Sequence, residues 1–321
     1  MSLSITSSFN EWEEAYKVAY HRNFFHNPIW GHLMHETYGY EIKVFVFNLS
    51  GKTIVLPTLV TRHLRRFFLG MDSLPSYHYG GFLCQEPLSD DELMYMAYRI
   101  NRLWSLHTLR ISDDTERSLS ALSAFEATRF TTQILNLSNG FTYIEKHNFD
   151  NKQRNSIRKA IRSGVSVEID NSISSIDNFY NLYLQSCKRW GLSNHEPKNF
   201  FTKLISPNSP AVQLWSAILD GQIIACMIIA NNDSDTLYYL YGASDDKKMC
   251  YCPNNLLLAS VIDLACQKGY QKFDLLPSGR IPGVERFKAS FGADKVSVPE
   301  YWLSGRFPRI KKTMLSKFLK H

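Results

Sequence analysis

Residues 223–230 read Ile-Ile-Ala-Cys-Met-Ile-Ile-Ala, an apolar run with no polar alternation and far too short to span a bilayer. A strand of this kind has no wet face, so it must lie in the middle of a sheet with cover on both sides. Asp220-Gly221 before the run and the polar stretch Asn231–Asp235 after it are turn signals. Leu214–Leu219, Gln222–Ala230 and Thr236–Tyr241 are therefore expected as consecutive strands. Pro253-Asn254 opens a strongly apolar helix through Lys268, Gly269 closes it, and Lys272–Leu276 follows as a strand. Upstream, Val165–Ile169 reads as a strand, Ile176–Arg189 as a helix with Phe179, Leu182, Tyr183 and Cys187 inward, and Pro197–Leu204 as another helix. The class is α/β (α+β), with mixed, mostly antiparallel sheets flanked by helices.

With 321 residues the chain is too long for most single cores, and two domains are expected. In the N-terminal half, Ser8-Phe9-Asn10-Glu11 is a capping-box pattern before a helix with Trp12, Ala15, Tyr16 and Ala19 on one face. A second helix covers Ile29–Tyr38, and strands Glu41–Asn48 and Thr53–Val60 flank a turn at Leu49–Lys52. Phe67–Leu83 carries Gly70, Pro75, Gly80 and Gly81 and is expected to be irregular. A helix from Ser89 to Leu103 and a strand at Thr108–Ile111 complete this half. The join is placed between residues 147 and 148, giving domains 1–147 and 148–321. Beyond it runs a basic linker helix, 150–163, which Asp150 can cap and Gly164 can end. It sets Lys152, Arg154, Arg158, Lys159 and Arg162 against a thin apolar side of Ile157, Ala160 and Ile161. Both halves show the same order of helices, antiparallel strands, helix and closing strand, which reads as a structural duplication.

A formal charge of +6 favours anionic partners without demanding nucleic acid. The six cysteines form no C-x-x-C blocks, so reduced thiols, no structural zinc and a cytoplasmic setting are expected. Met1–Asn10 lacks the basic and apolar regions of a secretory signal, and no Ser/His/Asp or His-rich metal spacing stands out. The tail 306–321 alternates Ile310, Met314, Leu315 and Phe318 with Lys311, Lys312, Lys317 and Lys320, a basic amphipathic helix. It can dock on its own protein or make peripheral contact with an anionic membrane.

Phe287-Lys288-Ala289-Ser290-Phe291-Gly292 places a lysine between two phenylalanines one helical turn apart. Phe287 and Phe291 share a face with Val284, while Lys288 is turned roughly 100° away, at the margin of an apolar wall. Such a cation can serve a phosphate, a carboxylate or a developing oxyanion. The other reading is a surface lysine whose stem covers the rings and whose ammonium stays in water.

Together with this segment, four further pieces carry a resemblance: Arg154-Asn155-Ser156-Ile157-Arg158-Lys159-Ala160 with Gly164-Val165, Leu240–Asp245, Pro253-Asn254, and Gly269-Tyr270 with Phe273-Asp274. In order and spacing the C-terminal half resembles the Fem-type peptidyltransferases and their relatives in the GNAT acyltransferase superfamily. The N-terminal half fits more loosely, through Leu56-Pro57 and Ser76-Tyr77-His78-Tyr79-Gly80-Gly81. The resemblance implies tandem GNAT-like domains that move an aminoacyl or acyl group onto an amine, often in cell-wall or exopolysaccharide synthesis. One departure is informative. The Gln/Arg-x-x-Gly-x-Gly/Ala loop that holds coenzyme A pyrophosphate in ordinary GNAT enzymes is replaced by Lys247–Pro253. This favours aminoacyl-tRNA as donor, with acyl-CoA as the other candidate, and no tightly bound cofactor.

Acyl transfer to an amine needs a deprotonated acceptor, stabilisation of a tetrahedral oxyanion, and two substrates held together. The resemblance places Lys288 in the catalytic region, and Lys288→Ala is expected to lower turnover while leaving the fold intact. Tyr241 can orient the carbonyl or relay a proton, or it can simply pack. Asp274 can act as base or orienter, or as the buried partner of a cation. Phe287 and Asn254 are candidate substrate contacts, the latter at a helix N-terminus that suits an anion but equally an ordinary cap. Arg154 and Arg158 can grip phosphates of a nucleotide-linked acceptor or an RNA donor; otherwise the helix is a solvated linker. His195 and Glu196 either lie near the acceptor or belong to a solvated loop. The leading expectation is an acyl- or aminoacyltransferase acting on a nucleotide- or lipid-linked amine. Its rivals are an acyl-CoA-dependent N-acyltransferase for a sugar amine or small metabolite, and a non-catalytic RNA- or glycan-binding protein on the same scaffold.

Overall fold

The computed structural model describes residues 2–49, 51–64, 68–73, 78–103, 106–112, 126–205, 211–231, 235–279 and 281–305. The tail 306–321 and Ser76-Tyr77 lie outside them. Two compact units divide the chain, residues 1–130 with 297–321, and residues 131–296. The join expected at 147/148 therefore falls inside the second unit.

The first unit runs β1 (Ser2–Thr6), α1 (Asn10–Val18), α2 (Pro28–Tyr38), β2 (Glu41–Leu49), β3 (Lys52–Leu64), β4 (Phe68–Asp72), α3 (Asp90–Asn101) and β5 (Leu106–Ser112). Asn27 starts α2 by accepting from the Ile29 N–H at 3.0 Å, with Pro28 in the first turn. Ser89 and Glu92 form a reciprocal capping box on α3. The box expected at Ser8 and Glu11 does not form: Ser8 Oγ accepts instead from the Asn10 N–H at 3.1 Å, and Phe9 is the N-cap. A strand at Phe68–Asp72 also stands where irregular chain was expected, because Gly70 is accommodated at a register shift against β3.

The second unit contains β6 (Glu126–Asn136) from Thr131 onward, α4 (Phe141–His147), α5 (Asn151–Arg162), β7 (Ser166–Ile169), α6 (Ile173–Arg189), α7 (Lys198–Leu204), β8 (Val212–Leu219), β9 (Gln222–Ala230), β10 (Thr236–Ser244), α8 (Pro253–Gln267), β11 (Lys272–Asp274) and α9 (Pro282–Ala289). The apolar run lies on β9, between β8 and β10, and is buried from Ile224 to Ala230. α8 packs its Leu257, Leu258, Val261 and Ile262 into a core shared with Phe273 and Phe291. Finally β12 (Asp294–Ser304) returns to pair antiparallel with β5.

The two units share one strand order. In the first it is β1-β2-β3-β4-β5-β12, and in the second β7-β8-β9-β10-β11-β6. Each has an antiparallel meander, a parallel pair bridged by a helix (β4–β5 through α3, β10–β11 through α8), and a final antiparallel strand. That last strand pairs with a partner remote in sequence, β6 with β11 and β12 with β5, so no hairpin pattern marked β6 or β12.

Candidate functional site

The parallel pairing of β10 with β11 covers only Thr236–Tyr238 against Lys272–Asp274. Beyond it β10 continues to Ser244 beside β9, whereas the segment after β11 turns away through Leu276, a non-glycine residue at φ 57°. Separating two strands in this way opens the sheet. The gap is a cavity of ≈ 540 Å³, walled by the second half of β10, the end of α6, the start of α8, the turn 277–279 and α9. A register shift between Tyr239 and Tyr241 makes Leu240 the extra residue of a β-bulge. Gly242 is required beside it: a Cβ there would meet the Tyr239 hydroxyl at 1.9 Å.

Lys288 lines this cavity, yet only 4% of it is exposed. Its Nζ donates to the carbonyls of Leu275 at 2.6 Å, Leu276 at 2.8 Å and Pro277 at 3.4 Å, and lies 5.6 Å from the centre of the Tyr239 ring. The reading of a solvated ammonium over a phenylalanine wall is therefore corrected. α9 buries this face because the turn after β11 exposes successive carbonyls that need donors. Burial pulls the lysine down to about 8, with the Asp274 charge opposing that shift. The expectation that removing Lys288 leaves the fold intact does not fit a side chain holding the turn that forms one wall.

Asp274 is buried behind that wall. Its Oδ1 accepts from Thr132 Oγ1 at 2.5 Å and from the Leu276 N–H at 2.8 Å, so it fixes the left-handed turn from the other side. Phe287 is half-buried on the cavity side and meets Phe291 edge-on, ring centres 5.2 Å apart. Asn254 lines the cavity at the first turn of α8. The segment before it, Asp246–Tyr251, is a 3₁₀ helix that consumes its own donors: Lys247 N–H on Asp245 Oδ1 at 2.9 Å, Lys248 on Asp245 O at 3.1 Å, Cys252 on Met249 O at 3.0 Å. A pyrophosphate nest needs such N–H groups pointing outward together.

Tyr241 also lines the cavity, its ring boxed edge-on by Tyr183, Phe200 and Phe201. Its hydroxyl lies 3.5 Å from Glu196 Oε1, and burial followed by the Glu196 charge pushes it well above the ordinary tyrosine range. Glu196, expected in a solvated loop, is instead half-buried.

The basic helix divides. Arg154 does not face the cavity: its guanidinium donates to the carbonyls of Glu145 at 3.0 Å and Lys146 at 3.1 Å, and also to Phe149 O and Asn151 Oδ1. It caps the C-terminus of α4, a helix that sequence pattern did not show and whose orphan carbonyls need a donor. Arg158 lies on the exposed side of α5 with Lys152, Lys159 and Arg162, away from the cavity wall. Lys288, Tyr241, Phe287 and Asn254 are thus brought together, while Asp274, Arg154 and Arg158 are not part of that wall.

Residues 148–289 match the acetyltransferase (GNAT) domain family. A UDP-N-acetylmuramoylpentapeptide-lysine N(6)-alanyltransferase from Weissella viridescens is 24% identical over 106 residues, 33% of this chain and 31% of that protein. The match thus spans about a third of the curated relative's length. Among solved structures, FemX superposes with TM-score 0.74 at 13% identity, over 97% of this chain and 99% of that one. A tandem GNAT protein from the clavulanic acid pathway gives 0.53 at 8% identity, over 94% and 98%. The fold is that of tandem GNAT-like proteins, Fem-like throughout, and the expected family resemblance holds. Among the described residues, no helix is long and apolar enough to cross a membrane.

Proposed function

We propose that this protein is a cytoplasmic aminoacyltransferase, in which the unit 131–296 moves an aminoacyl group from an ester donor onto a primary amine of a cell-envelope precursor. The observation that carries this reading is the cavity opened where β10 leaves β11, with Lys288 and Tyr241 both in its wall. An acyl carbonyl lodged there develops negative charge on attack, and a buried ammonium in low dielectric stabilises that charge more than one in water. Apolar groups such as Leu240, Val284 and Phe287 exclude water that would hydrolyse the activated ester. The acceptor class is supported by the alanyltransferase relative.

Aminoacyl-tRNA is favoured over acyl-CoA as donor because the turn before α8 turns the N–H groups of Lys247, Lys248 and Cys252 onto its own acceptors, where a pyrophosphate nest would aim such groups outward together. In a direct test, labelled aminoacyl-tRNA and acetyl-CoA are offered separately with a mixture of cell-envelope amine precursors, with and without RNase. Transfer from the tRNA alone, abolished by RNase, is expected. RNase-resistant transfer from acetyl-CoA, competed by free CoA, would instead establish the N-acyltransferase alternative.

The exposed face of α5 suits a spread polyanion. Replacing Arg158 and Lys159 together by Gln is expected to weaken tRNA affinity and reduce the slope of log K against log salt by about 1–2, with Tm nearly unchanged. A slope identical to wild type would show that these cations only solubilise the helix.

A further inference from the structure

Glu196 is a carboxylate with no assigned part in the chemistry, and its placement is specific. The loop residues Gly191–His195 are exposed, whereas Glu196 turns inward and is tied to two tyrosines of the cavity wall. Its backbone N–H donates to the Tyr183 hydroxyl at 3.1 Å, and its Oε1 lies 3.5 Å from the hydroxyl of Tyr241. The second distance is long for an O–H···O bond, as catalytic contacts often are before substrate tightens them. Tyr241 from β10 and Tyr183 from α6 reach it, the rings of Tyr180 and His195 lie against Tyr183, and Lys198 at the start of α7 is engaged with Asp177 at 2.8 Å. Burial raises the Glu196 carboxyl above its ordinary range, and the Tyr241 hydroxyl opposes this. The aromatic box around Tyr241 fixes the ring, and with it the place of its hydroxyl beside Glu196.

We propose that Glu196 is the proton sink of the transfer reaction, acting through the Tyr241 hydroxyl as a positioning residue for the acceptor amine. The inference rests on the transfer reading above. An alkylammonium acceptor, ordinary pKa about 10.4, arrives protonated and cannot attack. Its nitrogen gives one proton to Tyr241 Oη while the tyrosine's own proton passes to Glu196 Oε1. The freed lone pair attacks the acyl carbon, the C–O bond of the ester breaks, and a second nitrogen proton goes to the departing oxygen. The proton on Glu196 returns to water, leaving amide, alcohol and one released proton. Tyr241 alone could not do this, because its hydroxyl is held far above neutral pH by burial.

Glu196→Gln preserves shape and removes the sink. The test uses two acceptors of different basicity, butylamine, protonated at neutral pH, and hydroxylamine, which is not, with the donor that the wild type uses. Wild type is expected to transfer to both. The variant should lose on the order of a hundredfold in kcat/KM with butylamine, the scale of general-base catalysis, and little with hydroxylamine. The acid limb of the wild-type butylamine profile should be absent in the variant. Tyr241→Phe should share the butylamine loss. Because a buried carboxylate disfavours the folded state once ionised, the variant's Tm should equal or exceed wild type at pH 8, the gap closing toward pH 4. Equal losses with both acceptors, an unchanged pH profile, or a lowered Tm at pH 8 would each make Glu196 merely structural and overturn the proposal. Wild type inactive with every donor and acceptor would overturn the transfer reading itself.

Discussion

Lys288→Met is expected to lower turnover by about a hundredfold and to destabilise the protein by about 2 kcal/mol. The rate effect follows from removing the buried positive charge beside the position where an oxyanion would form. The stability effect has a separate origin. Methionine matches the lysine stem but leaves the carbonyls of Leu275 and Leu276, now bonded at 2.6 and 2.8 Å, without their donor. Two charge-assisted bonds would contribute more than this, but burying an ammonium costs several kcal/mol, which offsets much of the gain. The pH dependence separates the terms. Burial pulls the lysine down to about 8, so the folded protein sheds this proton at a lower pH than the unfolded chain. Wild type therefore gains stability over Lys288→Met as pH rises from about 8 toward the ordinary lysine range, and its Tm advantage widens. Below pH 8 both states carry the charge and the advantage is smallest. Steady-state kinetics and thermal melts across that range check both parts. Full activity in a folded variant would remove Lys288 from the chemistry, and a Tm that does not move would mean that the turn does not depend on it.

The cues that worked in the sequence were local ones. Asp150 accepts from the Gln153 N–H at 2.7 Å, Gly164 takes φ 81° after α5, and the Asp220-Gly221 turn joins β8 to β9. Each needs only a side chain and a backbone angle a few residues apart. The site was legible as a set of fragments, because β10, the start of α8 and α9 all wall one cavity. Side-chain direction was not. Whether Lys288 points to water or to protein depends on Leu276 adopting a left-handed conformation, and that depends on Asp274 and Thr132, 142 residues apart. Arg154 looked like a phosphate ligand because α4, with one buried side chain in seven residues, leaves almost no periodic trace. Glu196 had no pattern at all: only the meeting of α6, β10 and its loop brings it to Tyr241.

Phe291→Ala should cost about 3–5 kcal/mol, the range for emptying a fully buried aromatic site. Phe291 is 0% exposed and meets Phe149 edge-on at 4.8 Å and Phe287 at 5.2 Å, so truncation leaves a void bounded by two rings. Collapse into it is restricted from both ends. Gly292, at φ 82°, is pressed so closely against Asn148 that a Cβ would lie 2.5 Å from its side chain. On the other side Ser290 accepts through its carbonyl from the Asp150 N–H at 3.1 Å and through Oγ from Gln153 Nε2 at 2.6 Å, and Gln153 Oε1 in turn accepts from Asn255. This chain of bonds ties α9 to the starts of α5 and α8, so the loss cannot be absorbed by sliding the helix. The two substitutions should therefore differ in kind. At low temperature, where enough of Phe291→Ala remains folded, its KM and kcat should stay near wild type, because the hydrogen bonds that place α9 survive. Lys288→Met should be defective at every temperature. Calorimetry paired with initial rates at about 10 °C makes the comparison, and a Phe291→Ala protein that melts like wild type would show that this ring does not pack as the structure has it.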